Sequence, residues 1–470
     1  MQRLAERMGI RHGREIFSLA APTILTMFSH TLMWTVDSAF LGHVSSLALA
    51  SAGLGGMLTW TVYTLFNGLS RVTSTFVSQA EGRRDLGAVG DYTWQGIYIA
   101  LIAGALLTVG GYYSHIVLGW TGNAPDIQQN AYVYVRYRTL SATATQLLMC
   151  LTGFFNGRKD MKTPMYAGVG ANVLNVILDA ILIFGWEGIP VGGARLFASP
   201  AMGLKGAAIA TSIAVFANAA VLLMVLFGRK IFRVRYKIHL PRVPALAKIA
   251  DLVRVGFPAS IGNFIDMLSF FLFTALIGRT GEAGLAASQI TIQILSFSFM
   301  PLWGLTISAT VLVGNEIGKG DLDRAERYGN EAYRIAVYYT FLLALLIVGL
   351  GRPIFGVFTS DPRVLALAGG LAALAALFQV FDGLRMIGLG ILEGAGDTRF
   401  PMGLAFVTLL CVFVPLTYLA VEVMGGDVRH AWIVGIFSYL LMAGGTYLRF
   451  RAGTWRGMCI FSGEEAALGD

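Results

Sequence analysis

Four aspartates lie well inside apolar segments of this chain: Asp37, Asp179, Asp266 and Asp382. A charged side chain at the centre of a bilayer costs roughly 2.5 to 3.5 kcal/mol on insertion, so an acid in such a segment is a candidate for a functional role. A carboxyl group held there can bind a proton or a cation and release it again. The chemistry to be expected from these residues is therefore ion binding and exchange.

Asp179 shares one face of its segment with two amides. Asn172, Asn175 and Asp179 are spaced i, i+3 and i+7, which places them on the same side of a helix. A carboxylate beside amide oxygens suits a hard cation, or a carboxyl group that carries a proton. Asp37 and Asp179 both lie late in segments that run outward, so we expect both in the outer half of the membrane. If they face each other, repulsion and dehydration favour proton uptake by one of them.

A second polar set occurs in the other half of the chain: Asn263, Asp266, Gln379 and Asp382. At a rise of 1.5 Å per residue, both acids lie about 15 Å from the inner ends of their segments, so they can share a site. Arg385 follows Asp382 by three residues and offers an alternative, an ion pair within one helix. For every acid there is a structural alternative. In it, nearby Ser, Thr or Asn side chains hydrogen-bond the carboxyl group, which then only holds helices together.

The elements that must position these residues are membrane-spanning helices. Of the 470 residues, 56% are hydrophobic and only 13% are charged, about half the charged fraction of a soluble domain. A helix needs about 20 residues to cross a bilayer, whereas barrel strands would appear as alternating segments of about ten. Twelve segments of helical length are predicted, near residues 16–39, 50–76, 94–118, 131–155, 165–186, 206–228, 256–278, 284–313, 334–358, 364–392, 401–424 and 430–449. The predicted fold class is an all-α polytopic membrane protein, and a water-soluble enzyme is excluded.

Positive charge is distributed unevenly between these segments. If both termini are inside, the termini and inner loops contain 25 Lys and Arg residues, and the outer loops contain six. Four more lie within spans or at their edges. The positive-inside rule then places both termini in the cytoplasm. The basic N-terminus leads into a full-length span without a cleavage pattern, so the first helix is predicted to be retained. Three scattered cysteines predict neither a disulfide framework nor a metal site.

Identical residues recur at a constant separation along the chain. Five pairs have the same separation: Pro22/Pro258, Gly42/Gly278, Gly68/Gly304, Gly82/Gly318 and Asp85/Asp321. Four pairs later in each half have a separation longer by one residue: Gly157/Gly394, Asp160/Asp397, Pro164/Pro401 and Met165/Met402. The chain is therefore predicted to contain two six-helix halves, 1–228 and 255–470, joined by a basic connector, 229–254. An even number of spans in each half makes them parallel repeats about an axis along the membrane normal. The four acids are not repeated, so they are additions to a symmetric scaffold.

The chain resembles the multidrug and toxic compound extrusion (MATE) family of transporters over almost its whole length. The motifs that carry the resemblance are TVDSAFLGHVSSLALASAGLG, GFFNGRKDMKTPM, NVLNVILD, GFPASIGNFID and GILEGAGDTRFP. The resemblance implies a V-shaped pair of lobes that alternates between outward and inward openings in a bacterial or archaeal inner membrane. It also implies expulsion of small, amphipathic, mainly cationic organic compounds in exchange for H+ or Na+. A monomer is expected, with no cofactor and no nucleic-acid partner. Membrane lipids are the other expected partners, and the basic connector could contact their headgroups or be solvated.

Site residues are carried over from this family by position. The coupling site of its N-terminal lobe matches Asp37, Asn175, Asp179 and Thr211, where Na+ could be held by Asp37, Asn175 and Asp179. Pro22 matches a proline associated with bending of the first helix. In the branch typified by NorM, acids of the seventh and tenth spans bind the coupling ion, and Asp266 and Asp382 match them. Asp266 stands where that branch is expected to have Glu.

Other functional classes are less compatible with the sequence. No GxxxxGK[ST] motif and no large soluble domain occur, so energy must come from an ion gradient. The nearest alternative is a flippase for lipid-linked saccharides in the same superfamily, whose cavity should be rich in Lys and Arg to hold diphosphate. Only Arg71 and Arg385 are mid-span basic residues. An intramembrane enzyme would need clustered acids or a His/Asp ligand pattern within its spans, and a passive scaffold or receptor would not need four buried acids.

Overall fold

The computed structural model describes residues 10–461 apart from 187–188, 192–193 and 197–198. The first half of the described chain is a series of helices: α1 Gly13–Val44, α2 Ser46–Arg71, α3 Thr73–Arg83, α4 Leu86–Tyr112, α5 Ser114–Gly119, α6 Pro125–Thr139, α7 Ala142–Gly157, α8 Lys162–Phe184 and α9 Leu204–Gly228. Two short strands, β1 Ile189–Val191 and β2 Ala194–Leu196, form an antiparallel hairpin between α8 and α9. Apart from this hairpin and one isolated bridge, the regular structure of the described residues is helical.

The second half of the described chain is also a series of helices. Its helices are α10 Lys230–Arg235 in the connector, α11 Leu246–Gly278, α12 Glu282–Gly318, α13 Leu322–Phe358, α14 Pro362–Ala395, α15 Arg399–Ala405, α16 Val414–Tyr418 and α17 Val428–Arg451. Two π-helical stretches, Phe406–Phe413 and Leu419–Val423, flank α16, so that Arg399–Val423 is one continuous passage. A 3-10 turn, Thr454–Gly457, follows α17.

The predicted fold class is confirmed, because all twelve predicted segments are helical over most of their length. Ten helices of the described chain are long and apolar enough to cross a membrane by length and composition. The second predicted span, 50–76, consists of α2 and α3, which are separated at Val72, and neither helix is among the ten. The fourth, 131–155, is divided between α6 and α7 at Leu140 and Ser141, so neither part is long enough alone.

Packing divides the chain into two compact units. The C-unit consists of the described parts of Met1–Ile24, Ser78–Arg84 and Pro258–Asp470, and the N-unit consists of Leu25–Val77 and Asp85–Phe257. The connector therefore packs with the N-unit, while the start of α1 and the end of α3 pack with the C-unit. The boundaries at 228 and 255 remain a prediction from the repeat.

Within the C-unit, the end of α3 crosses the end of α12 at two glycines that correspond in the internal repeat. A Cβ atom added to Gly82 would lie 2.1 Å from the Asn315 carbonyl oxygen, and one added to Gly318 would lie 2.0 Å from the Gln79 carbonyl oxygen. The Asn315 amide donates a hydrogen bond to the Ser78 carbonyl oxygen at 3.3 Å. The contact is thus backbone against backbone, which the absence of a side chain on each glycine permits.

The basic connector is fixed to α4 in the N-unit. The indole nitrogen of Trp94 donates to the Ile238 carbonyl at 3.0 Å, and the Tyr98 hydroxyl donates to the Arg242 carbonyl at 2.6 Å. Asp91 forms ion pairs with Arg242, at 2.9 Å, and with Lys248. The connector is therefore an ordered strap along α4.

We expect Asp91→Asn to loosen this strap. Two partly exposed ion pairs are worth about 0.2–1 kcal/mol each, so their loss should shift local opening by about 1 kcal/mol and speed tryptic cleavage within the connector about fivefold. The measurement is the rate of limited proteolysis of purified protein, with cleavage sites identified by mass spectrometry. Asp126→Asn, which changes an exposed aspartate in the first turn of α6, is the control. Equal cleavage rates in the two variants would contradict the assignment.

Candidate functional site

The N-unit brings two of the predicted acids together. Asp37 is on α1, and Asp179 is on the face of α8 that also carries Asn175. Asp179 and Asn175 are fully buried, and Asp37 is half-buried. The Asp37 and Asp179 carboxyl groups are neighbours and interact with each other. A hydrogen bond between two carboxyl groups requires that one of them carries a proton.

The polar atoms of this pair lack partners of their own. Both carboxyl oxygens of Asp179, both polar side-chain atoms of Asn175 and Oδ1 of Asp37 are buried without a hydrogen bond to the described residues. A buried polar group left unsatisfied costs about 1–3 kcal/mol, and more when it is charged. A shared proton, or a cation bound by these oxygens, would remove that cost. The donor set contains oxygen ligands only, as a hard cation prefers.

The other predicted N-unit residues are engaged elsewhere. Asn172, one turn before Asn175, is half-buried and donates to the Ser29 hydroxyl oxygen at 2.9 Å. Thr211 is buried on α9, and its hydroxyl donates within its own helix to the Ala207 carbonyl at 2.9 Å. Among the described residues, no group of three or more His, Cys, Asp or Glu side chains could hold a metal ion. The arrangement is therefore a two-carboxyl site with Asn175 beside Asp179.

Two residues of α6 belong to the same environment and were missed at the sequence level. The positive charge of Arg138 acts on Asp37 and on His30, and its guanidinium donates to the Ser141 hydroxyl at 2.7 Å. Tyr134 lies where it is influenced by the charges of both acids. Arg138 could have been noticed, because it falls inside the fourth predicted span, 131–155. Its proximity to Asp37 depends on the packing of α6 against other helices and has no local sequence signal.

Pro22 is buried inside the continuous helix α1, fifteen residues before Asp37. Because proline has no N–H group, it cannot donate to the Ser18 carbonyl one turn earlier, and the helix is weaker at that point. A bend at Pro22 remains a prediction.

The C-unit acids are connected through an arginine. Nε and Nη2 of Arg385 donate to Oδ1 of Asp382 at 2.9 and 2.6 Å, which is the predicted intrahelical pair. Nη1 of the same guanidinium reaches Oδ2 of Asp266 on α11 at 3.4 Å. The Tyr439 hydroxyl of α17 donates to Oδ1 of Asp266 at 3.2 Å. Asp266 and Asp382 therefore lie in one cluster, and the guanidinium of Arg385 lies between them.

Two amides accompany this cluster. Gln379, one turn before Asp382, is buried, and neither its amide nitrogen nor its amide oxygen has a hydrogen-bond partner among the described residues. Asn263 is half-buried on α11, one turn before Asp266. Tyr439 was not predicted, because its position beside Asp266 depends on how α17 packs.

Known proteins resemble this chain over most of its length. A family model described as MatE matches residues 22–181 and 258–419, two segments whose starts coincide with the repeated prolines Pro22 and Pro258. The chain is 26% identical over 453 residues to the probable multidrug resistance protein NorM of Thermotoga maritima, covering 96% of this chain and 95% of the relative. It is 29% identical over 475 residues to the probable multidrug resistance protein NorM of Burkholderia pseudomallei, covering 98% and 94%. The crystal structure of the eukaryotic MATE transporter AtDTX14 superposes with a TM-score of 0.83 at 19% identity, covering 96% and 97% of the two chains.

Proposed function

Because this chain belongs to the MatE family, whose members are transporters and not enzymes, we propose that it is a NorM-like multidrug antiporter. It expels amphipathic, mainly cationic organic compounds in exchange for H+ or Na+. The observation that carries the proposal is the Asp37–Asp179 pair with Asn175: Oδ1 of Asp37, both carboxyl oxygens of Asp179 and both polar side-chain atoms of Asn175 are buried without a hydrogen bond to the described residues. The relatives named multidrug resistance proteins support the substrate class.

In this proposal the N-unit acids are the coupling site. Asp37 and Asp179 share a proton or hold Na+, and Asn175 supplies a further oxygen. Loading from outside neutralises the site and favours release of an organic cation, whereas the emptied site favours rebinding of that cation from inside. Exchange requires that ion and substrate compete for the same charge or for the same conformation. Alternating access, a multi-pass position in the inner membrane and cytoplasmic termini are parts of the same proposal.

The flippase alternative needs free cations for a diphosphate. Arg385 is buried and already bonded to two carboxylates. Arg71 ends α2 and has interactions of its own. Arg138 donates a hydrogen bond to the Ser141 hydroxyl, and its charge acts on Asp37. These contacts favour a substrate of positive charge over a lipid-linked diphosphate.

The test is efflux of a fluorescent organic cation from proteoliposomes under an imposed pH gradient and, separately, under a Na+ gradient. We expect one gradient to drive efflux and the other to have little effect, which identifies the coupling ion. Loss of driven efflux in Asp37→Asn but not in Asp266→Asn would support coupling in the N-unit, and the reverse would place it in the C-unit. No driven efflux of several cations under either gradient would contradict the antiporter and favour the flippase.

A further inference from the structure

The C-unit acids have a cation that cannot leave. Arg385 is 5% exposed and donates to both Asp266 and Asp382. We propose that Arg385 is a resident counter-cation, which occupies the position of an exchangeable ion in the C-unit and leaves ion exchange to the N-unit acids. This inference rests on the proposed antiport function and assigns the two units different roles in it.

The chemistry of the guanidinium supports a permanent role. Arginine stays protonated in proteins, and its planar fork can hold two carboxylates at once. Here the fork gives two N–H groups to Asp382 and one to Asp266, and it lies 4.9 Å from the ring centroid of Tyr439. The charged and titratable groups that face it are therefore Asp266 from α11, Asp382 from α14 and Tyr439 from α17. A second cation entering this cluster would be repelled by the charge already present.

The two acids are held unequally. Asp382 receives the shorter bonds, whereas the Asp266 side chain is 35% exposed and is held at 3.4 Å. Two carboxylates and one guanidinium leave one net negative charge, and the more exposed Asp266 is the carboxylate with the weaker compensation. The negative charge of Asp382 is thus compensated by Arg385 whether or not a coupling ion is present.

The internal repeat points the same way. At the separation that relates Pro164 to Pro401, Asp382 corresponds to Thr145 and Arg385 to Leu148, so the first half has neither partner of the pair. The N-unit acids, by contrast, have buried oxygens without hydrogen-bond partners among the described residues. The cluster that contains Asp382 therefore has a fixed cation. Within the described chain, no ion pair joins a cationic side chain to Asp37 or Asp179.

The test measures ion binding to the C-unit alone. In an Asp179→Asn background, the melting temperature of the purified protein is followed while NaCl replaces KCl at constant ionic strength, and again over a pH series. With Arg385 present we expect no ion-dependent shift. Adding Arg385→Gln should create a response, with a rise of roughly 2–4 °C or more on saturation with the ion, whereas Arg385→Lys should create none. Arg363→Gln is the matched control, because Arg363 lies on the same helix in an exposed ion pair with Asp361.

Two results would overturn the inference. One is an ion-dependent shift in the Asp179→Asn protein that disappears when Asp266→Asn is added, because the C-unit would then bind an ion despite Arg385. The other is that the Arg385→Gln and Arg385→Lys proteins behave alike, either both with an ion-dependent shift or both without one. Retention of coupling by Asp179→Asn itself would instead contradict the proposed function, so the two failures are distinguishable.

A second measurement does not depend on whether Arg385→Gln folds. The number of ions exchanged per substrate is determined for Asp382→Asn, which retains the arginine. We expect the wild-type ratio whatever the change in rate, since the C-unit contributes no exchanged ion. A lower ratio would overturn the inference.

Discussion

Asp179→Asn is expected to reduce gradient-driven efflux by about 5–150-fold without lowering the stability of the fold. Asparagine has the size of aspartate but cannot take up a proton or compensate a cation, so the coupling between ion and substrate is lost. Coupling free energies of about 1–3 kcal/mol correspond to about 5–150-fold, which sets the expected loss of driven efflux. Because no N–H or O–H group of the described residues donates a hydrogen bond to this carboxyl group, and burying its charge is costly, the melting temperature should be equal to that of the wild type or higher. The measurements are proteoliposome efflux and thermal unfolding.

The control for this substitution is Asp126→Asn, which makes the same chemical change at an exposed position of α6. It should keep both driven efflux and the melting temperature. Equal efflux in the two variants would contradict the coupling role of Asp179. A large fall in melting temperature with Asp179→Asn would instead indicate that the carboxylate has a structural role.

Gly318→Val is expected to prevent the C-unit from folding, and Gly318→Ala to destabilise it by about 1–3 kcal/mol or more. The added Cβ would lie 2.0 Å from the Gln79 carbonyl oxygen, and a backbone atom at that distance cannot move aside as a side chain can. The double variant Gly82→Ala/Gly318→Ala should be destabilised by less than the sum of the two single substitutions. Once one substitution has separated α3 and α12, the second finds more room. Yield of folded protein and melting temperature measure both effects.

Gly349→Ala is the matched control for this pair. Gly349 is also helical, and nothing lies within 4 Å of the Cβ atom that alanine would add. Alanine should be neutral there, or stabilising by up to about 1 kcal/mol, because it has the higher helix propensity. A fall in melting temperature equal to that of Gly318→Ala would show that the crossing is not the cause.

The sequence could predict features that follow from local periodicity and composition. The spacing of Asn175 and Asp179 predicts their common face, and the spacing of Asp382 and Arg385 predicts their ion pair. Partners from distant helices could not be predicted: Arg138 near Asp37, and Tyr439 on Asp266, depend on packing that no local pattern encodes. The same limit applies to Asn172, because only the fold shows that Ser29 satisfies its side chain. The breaks within the second and fourth spans were also missed, since hydropathy does not reveal short interruptions.

The crossing of α3 and α12 bears on how a duplicated chain of this kind can arise. Each helix presents a glycine to a backbone carbonyl of the other, and these carbonyls belong to the corresponding positions Gln79 and Asn315. A contact in which both partners present the same group is isologous, the type that joins two identical subunits in a symmetric dimer. A homodimer of six-helix subunits could therefore have formed this contact before gene duplication and fusion, and the fused chain would have kept it without a new interface.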